Sequence, residues 1–250
     1  MPTPQKRIAV LKAGTAYPKT QQRLGDYAQL FVDLFSRSDE QWEIFDVENG
    51  EFPAPSQSFD AVWITGSKYS AYQDLPWIQQ LLELLQRLHH KGTPLVGICF
   101  GHQALAHALG GETTPNPAGW EIGQVTLEWR PEAEALPLVA PMPKGTRIIQ
   151  THQDHVARLP PGAIHLAQSP NTHHEAFYLP ANRLNGNTTG PVLGLQGHPE
   201  LDAAAIEEIM DVRREVLPPE LVAKGKASMT QPPHQPELMA LLHRFLDNPA

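Results

Sequence analysis

An apolar run, Pro94-Leu95-Val96-Gly97-Ile98, ends at Cys99 and is followed at once by Phe100-Gly101-His102-Gln103, where a helical pattern begins. Few folds accommodate a buried strand that stops, turns between two glycines and re-enters as a helix. The turn has to be tight, and glycine two before and two after the cysteine permits that. The side chain at its apex is then presented rather than packed, as in the serine elbow of hydrolases. A helix N-terminus aims unpaired N–H groups at the apex and favours negative charge there. Cys99 is the sole cysteine of the chain, and a lone cysteine is ordinarily a small buried hydrophobe. Core packing makes no demand for the flanking glycines, so the pattern reads as a nucleophile.

A strand–turn–helix unit of this kind belongs in a sheet with helices on both faces, and the rest of the first half fits. Arg7 to Lys12, Trp42 to Val47, Ala61 to Thr65 and Leu95 to Ile98 read as short buried strands. Between them, Leu24, Tyr27, Ala28, Phe31, Leu34 and Phe35 repeat at helical spacing, Pro76 opens a leucine-rich helix to about His90, and His102 to Leu109 forms another. Alternating strands and helices imply a mostly parallel sheet, whose chemistry sits at the carboxyl ends of its strands. Beyond Gly110-Gly111 the pattern changes. Val125 to Trp129, Arg147 to Gln150, Ala163 to Gln168, Ala176 to Leu179 and Val192 to Gln196 are strand-like and separated by Pro and Gly. These predict an antiparallel addition late in the chain. Helices return at about Asp202 to Val216 and Pro236 to Leu246, with the Pro-rich Leu217 to Gln235 read as partly irregular.

The final strand-like run ends in Gln196-Gly197-His198-Pro199-Glu200. Gly197 allows close backbone approach, and Pro199 stiffens the turn so that Glu200 projects at a fixed offset. A carboxylate two residues from a histidine can accept its second ring N–H, fix the tautomer and support the imidazolium. Cysteine, base and orienting acid are the parts of a thiol-based acyl-transfer site.

With 250 residues the chain can bury one substantial core, and a single domain over 1–250 is expected. Nineteen basic against 27 acidic residues give a net charge of -8, which disfavours nucleic acid as a partner. One cysteine cannot form an internal disulfide, Met1 to Arg7 carries no signal-peptide pattern, and no apolar run has the length of a membrane span. The expectation is a soluble cytoplasmic protein with no membrane partner.

Gly97-Ile98-Cys99-Phe100-Gly101-His102-Gln103 and Gly197-His198-Pro199-Glu200 resemble the two signatures of class I glutamine amidotransferases, and the resemblance covers about residues 5 to 215. It leaves 216–250 as a C-terminal helical extension. It implies an α/β, flavodoxin-like core with strands inserted late, Cys99 as nucleophile, His198 as base and acid, and Glu200 as third member. It implies that a glycine turn after an early strand supplies an oxyanion-hole N–H. Here Gly66-Ser67-Lys68 stands where many members have Gly-Gly-Pro. The backbone N–H groups of Ser67 and Phe100 are the expected hole, with Gly66 shaping the turn. Gln103 falls where the family holds the glutamyl backbone. Thr151-His152-Gln153-Asp154-His155-Val156 resembles the segment that completes the glutamyl pocket, making His152, Gln153 and Asp154 candidates, Asp154 for the substrate ammonium. Glu175-Ala176-Phe177 resembles a strand start lining that pocket.

Twelve histidines raise the question of a metal. Zinc needs three or four converging ligands, and the sequence offers no spare cysteine and no His-x-x-x-His on an evident helix. No metal and no cofactor are expected, and His89-His90 and His173-His174 read as exposed polar pairs. The chemistry implied is cysteine-dependent hydrolysis of a γ-glutamyl amide through a thioester. Three settings remain open: a stand-alone hydrolase close to the GMP synthetase glutaminase domain, with γ-glutamyl peptidase action on glutathione-like peptides as the alternative substrate class; a glutaminase subunit of a separate synthase; and a non-catalytic binding protein on this fold, which an intact Cys99, His198 and Glu200 argue against. The leaving side is expected to face the loop from Lys68 to Tyr72, with Tyr69 and Tyr72 covering a group larger than ammonia.

Overall fold

A computed structural model describes residues 5–184 and 187–248. Met1 to Pro4, the start of the segment read for a leader, lie outside the described residues, as do the last two residues. In chain order the strands are β1 (Lys6–Lys12), β2 (Glu40–Asp46), β3 (Ala61–Ile64), β4 (Leu95–Ile98), β5 (Glu112–Pro115), β6 (Glu121–Trp129), β7 (Thr146–His152), β8 (Asp154–Arg158), β9 (Ile164–Gln168), β10 (Ala176–Leu179), β11 (Arg183–Leu184), β12 (Asn187–Thr188) and β13 (Val192–Leu195). The helices are α1 (Pro18–Leu24), α2 (Tyr27–Phe35), α3 (Pro76–His90), α4 (Phe100–Ala108), α5 (Pro131–Glu134), α6 (Ala203–Val212), α7 (Pro219–Ser228) and α8 (Gln235–Asp247).

Nine strands form one sheet in the order β2-β1-β3-β4-β13-β10-β9-β6-β7. The first five are mutually parallel and have the flavodoxin-like order. The last four join antiparallel, which is the late addition that the sequence pattern predicts. β3, β4 and β13 are buried along their whole length, as strands covered on both faces must be. One face carries α2 and α8, with Phe31, Phe35, Leu241 and Phe245 packed on Trp63 and Ile98. The other carries α3 and α4, with Leu81, Leu85 and Leu105 on Val62, Ile64 and Leu95. A third cluster joins α6 to β6 and β7 through Ile206, Ile209, Ile122 and Ile149.

Several local expectations change. The helical stretch from Leu24 to Phe35 is two helices, because Gly25 adopts φ 80° and Asp26 caps α2 by accepting from the Tyr27 N–H. Leu217 to Gln235 contains a regular helix, α7, which Pro218 and Pro219 start rather than break. α6 ends at Val212. His89 is buried, with its pKa lowered by that burial, and its carbonyl accepts from the Gly190 N–H; His90 is exposed. His173 is exposed but His174 is half-buried, with its pKa lowered to about 3 by burial and by His165 and His173. No described helix is long and apolar enough to cross a membrane.

Candidate active site

The parallel strands place three connections at one end of the sheet. The β1 connection carries Gly14, the β3 connection carries Gly66 and Ser67, and the β4 connection carries Cys99. β1 and β3 lie side by side while the chain leaves β1 for β2 on the other side, so this is the switch point where open α/β sheets bind ligands. The Thr65 hydroxyl accepts from the Ala13 N–H at 3.0 Å and ties the first two connections together.

Cys99 takes φ 52° and ψ -104° and is the one non-glycine residue with positive φ among the described residues. Such a conformation costs on the order of 1–3 kcal/mol. It is held by its surroundings. The Cys99 N–H donates to the Leu195 carbonyl at 2.8 Å and the Cys99 carbonyl accepts from the Gln103 N–H at 3.1 Å. The side chain is thereby fixed at the N-terminus of α4, whose dipole favours an anion.

β13 brings the second half of the site. It is paired in register with β4, Leu195 opposite Ile98, so the turn leaving one strand stands beside the turn leaving the other. The His198 N–H donates to Ile149 of β7 at 2.8 Å. That approach requires Gly197, where a Cβ would lie 2.7 Å from Ile148 Cδ1. The Gln235 side-chain amide, at the start of α8, donates to the Pro199 carbonyl at 2.8 Å and holds the turn from below.

His198 Nδ1 and Glu200 Oε1 are 2.6 Å apart, both side chains buried. His198 Nε2 has no hydrogen-bond partner. The space that a Cβ on Gly66 would occupy lies 3.0 Å from His198 Cε1 and 3.7 Å from Cys99 Cβ, so the imidazole edge and the thiol side chain border the same gap. Burial works against the imidazolium, but the charges of Glu200 and Cys99 and the contact with Glu200 outweigh it and raise the His198 pKa to about 10. His198 can therefore rest as the imidazolium beside Cys99. Half-buried Tyr27, which lines a cavity with Glu200, has its phenol pKa raised by desolvation and by that carboxylate.

The backbone N–H groups of Ser67 and Phe100 donate to no protein acceptor among the described residues. Ser67 lines both cavities that Cys99 lines, and Phe100 follows Cys99 in the chain. Among the described residues, Cys99 lines two cavities. One, of about 100 Å³, is lined by Gln103, Thr151, His152, Gln153 and Asp154. The other, of about 220 Å³, is lined by Tyr17, Tyr27, Ile209, His198 and Glu200.

In the smaller cavity Gln103 donates from Nε2 to the Asp154 carbonyl at 2.9 Å and to Gln196 Oε1 at 3.1 Å. Both amide hydrogens are committed, so Oε1 is the atom it can offer. His152 is committed too: Nδ1 meets the Asp154 carbonyl at 2.9 Å and Nε2 lies 3.3 Å from Glu121. Asp154 offers a carboxylate that accepts from the Tyr72 hydroxyl at 3.2 Å. Gln153 is exposed at the rim. Tyr69 and Tyr72 thus stand on the Gln103–Asp154 side: Tyr69 lines that cavity and packs edge-on against Trp77. The aromatic cover on the His198 side comes from Tyr17 and Tyr27 instead.

Beneath the smaller cavity lies a network that the motifs do not reveal. Glu121 accepts from Thr172 Oγ1 at 2.7 Å and from Ser169 at 3.1 Å. Glu175 accepts from Gln150 at 2.6 Å. Burial and the charge of Glu121 push the Glu175 carboxyl well above the usual range. Against the cost of its own burial, hydrogen bonds and the His152 ring hold Glu121 below that range. Glu121, His152 and Glu175 are within 4.8 Å of one another, as are His165, His173 and His174. The first trio is engaged with Thr172, Ser169, Gln150 and the Asp154 carbonyl, and His152 approaches Glu121 at 3.3 Å. The second lines neither cavity beside Cys99.

Arg213, Trp120 and Tyr17 are further contributors that sequence reasoning misses. Arg213 follows α6 and lines both cavities, its guanidinium 4.7 Å over the Trp120 ring and its Nε donating to the Tyr17 hydroxyl at 3.0 Å. Only the packing of α6 against α1 and β6 brings them together.

An open α/β sheet of flavodoxin-like order, with a strained cysteine at a strand–helix junction and a His–Glu pair from the adjacent strand, defines the class of the molecule. The chain belongs to the class I glutamine amidotransferases: residues 27–209 match the family model "Glutamine amidotransferase class-I". It is 32% identical over 249 residues to gamma-glutamyl peptidase 5 of Arabidopsis thaliana, covering 97% of this chain and 96% of that one. It is 34% identical to a glutamine-hydrolysing GMP synthase subunit of Ignicoccus hospitalis over 60% of this chain and 71% of that one. A glutamine amidotransferase of Thermotoga maritima shares the fold, with a TM-score of 0.71 at 20% identity over 98% of this chain and 99% of the other.

Proposed function

We propose that the protein hydrolyses γ-glutamyl amides through a Cys99 thioester, with γ-glutamyl peptides as its substrates. The Cys99 thiolate attacks the γ-carbonyl carbon and the Ser67 and Phe100 N–H groups receive the oxyanion. His198 then gives its Nε2 proton to the departing amine as the C–N bond breaks. Neutral His198 next takes a proton from water, which attacks the thioester and releases glutamate and the thiolate. Glu200 holds the tautomer that leaves Nε2 facing the sulfur and stabilises the imidazolium. Gln103 Oε1 and the Asp154 carboxylate are acceptors suited to the substrate ammonium.

The observation that carries the peptide reading is the cavity of about 220 Å³ on the His198 side of Cys99. An ammonia leaving group needs far less room. The full-length similarity to a gamma-glutamyl peptidase supports the same choice. The second reading, a glutaminase subunit serving a separate synthase, is favoured by the shorter similarity to a GMP synthase subunit.

The test compares kcat/KM for glutamine, a γ-glutamyl dipeptide and its α-linked isomer, with the purified protein alone. A glutamyl electrophile mapped by mass spectrometry reports the nucleophile in parallel. Turnover of the γ-linked peptide and not of its α-linked isomer, with label on Cys99, is the expected result. Cleavage of free glutamine alone, and only with a partner protein present, would transfer the assignment to the synthase-subunit reading.

A further inference from the structure

We propose that the larger cavity is a subsite for a leaving group that carries its own carboxylate, and that Arg213 binds that carboxylate. This deepens the hydrolase reading above and rests on it. The amine released must receive its proton from His198, and His198 lines the larger cavity but not the smaller. Whatever is attached to that nitrogen therefore extends among Tyr17, Tyr27 and Ile209. These walls are largely apolar, and Arg213 is the cation anchored among them.

Arg213 is built to receive an anion. Its plane is set by the Trp120 ring at 4.7 Å and by the bond from Nε to the Tyr17 hydroxyl at 3.0 Å. Both supports leave the two terminal nitrogens without a partner among the described residues, and these are the pair that grips a carboxylate end-on. The nearby acids are engaged elsewhere. Glu200 is paired with His198, Asp154 accepts from Tyr72, and Glu208 accepts from Thr20. The other cation at the cavity, Lys68, lies 3.5 Å from Glu48. A guanidinium fixed before binding loses little freedom when a carboxylate arrives. An α-amino acid released from a γ-glutamyl peptide has that carboxylate one carbon from the reacting nitrogen; ammonia and simple amines do not.

Arg213 also borders the smaller cavity, where the α-carboxylate of the glutamyl half is the competing ligand. Three substrates separate the two: γ-glutamyl-phenylalanine, the same compound as its C-terminal carboxamide, and glutamine. All have the glutamyl α-carboxylate, and only the first has a leaving-group carboxylate. Wild type, Arg213→Met and Arg213→Lys are compared by kcat/KM. The expected result is that Arg213→Met loses roughly tenfold to a hundredfold on the acid, chiefly in KM, the range typical of a hydrogen bond to a charged group. Turnover of the carboxamide and of glutamine stays within about twofold, which also shows that the variant is folded, and Arg213→Lys restores part of the loss. Equal losses on all three substrates would overturn the proposal and move Arg213 to the glutamyl side. A wild type that treats acid and carboxamide alike would overturn it while leaving the hydrolase reading intact. A wild type that cleaves none of the three would overturn the hydrolase reading itself.

Discussion

Gly97 and Gly101 face each other across the Cys99 turn so closely that a Cβ on Gly97 would sit 2.4 Å from the carbonyl carbon and oxygen of Gly101. The obstacle is backbone at the start of α4, which cannot swing aside. Gly97→Ala is expected to lower stability by about 3 kcal/mol or more, the upper range for overpacking. Urea denaturation checks it; an unchanged midpoint would mean that the turn has slack the geometry does not show.

Gly66→Ala should behave differently. Its Cβ would meet His198 Cε1 at 3.0 Å, a side chain at the reaction centre. The ring has to move to make room, and it is the group that passes the proton. The expected outcome is a fall in kcat on the order of tenfold to a hundredfold, the range over which small misplacements act, with a urea midpoint close to wild type. A stability loss as large as that of Gly97→Ala, with kcat preserved in the folded fraction, would remove His198 from the gap beside Gly66.

The contrast between these glycines shows what a sequence carries. Gly97, Gly101, Gly197 and the His198–Glu200 spacing are readable because each meets a local demand: a tight turn, a close crossing, a fixed offset. The alternation of strands and helices from β1 to α4, and with it a mostly parallel sheet, is readable for the same reason, since strand and helix periodicities are local. Arg213 on Trp120 and Tyr17 is not, because no local rule links positions 17, 120 and 213; packing of α6 against β6 does. The Glu121–His152–Glu175 network is hidden likewise, since each residue alone looks like an ordinary strand polar group. The break at Gly25 and the helix begun by Pro218-Pro219 were decided by capping and tertiary contact, which outweigh composition over so few residues.

His198 links stability to pH. Its folded pKa is raised from 6.5 to about 10, so the folded state holds the proton more tightly than the unfolded state. The stabilisation is fully present below about pH 6.5 and is lost as pH rises through about 10. Urea midpoints should fall across that window. Cys99→Ala removes one of the charges that support the imidazolium, so its decline should still begin near pH 6.5 but end at lower pH. Identical pH profiles for the two proteins would show that the thiolate does not hold the imidazolium.

Glu175→Gln is expected to stabilise the protein at alkaline pH. The carboxyl is buried beside Glu121 and its pKa is raised well above the usual range, so folding takes up a proton there. That contribution is present below the unfolded value of 4.5 and is lost as pH rises toward the folded one. An amide keeps an oxygen for Gln150 and presents an N–H to Glu121, with no proton to lose. The variant should show a higher urea midpoint than wild type at pH 8 and a smaller advantage at pH 5. A lower midpoint at both would mean that the negative charge of Glu175 is needed in the fold.

His198 and Glu200 should contribute unequally to turnover. His198 is the one proton carrier bordering the Cys99 gap among the described side chains of the larger cavity, Tyr27 having its phenol held protonated by burial. His198→Ala is expected to reduce kcat by on the order of 10⁴ or more, as loss of the base does in related constellations. Glu200→Gln retains an oxygen that can accept from Nδ1–H, so the tautomer survives and only the charge is lost. Its kcat should fall by roughly 10- to 1000-fold, less than for the base itself. The charge also supports the raised pKa of His198. The alkaline limb of the kcat profile, set by loss of the proton destined for the leaving amine, should therefore move to lower pH in Glu200→Gln. Equal losses in the two variants, with no displacement of that limb, would show that Glu200 does not act through the imidazole.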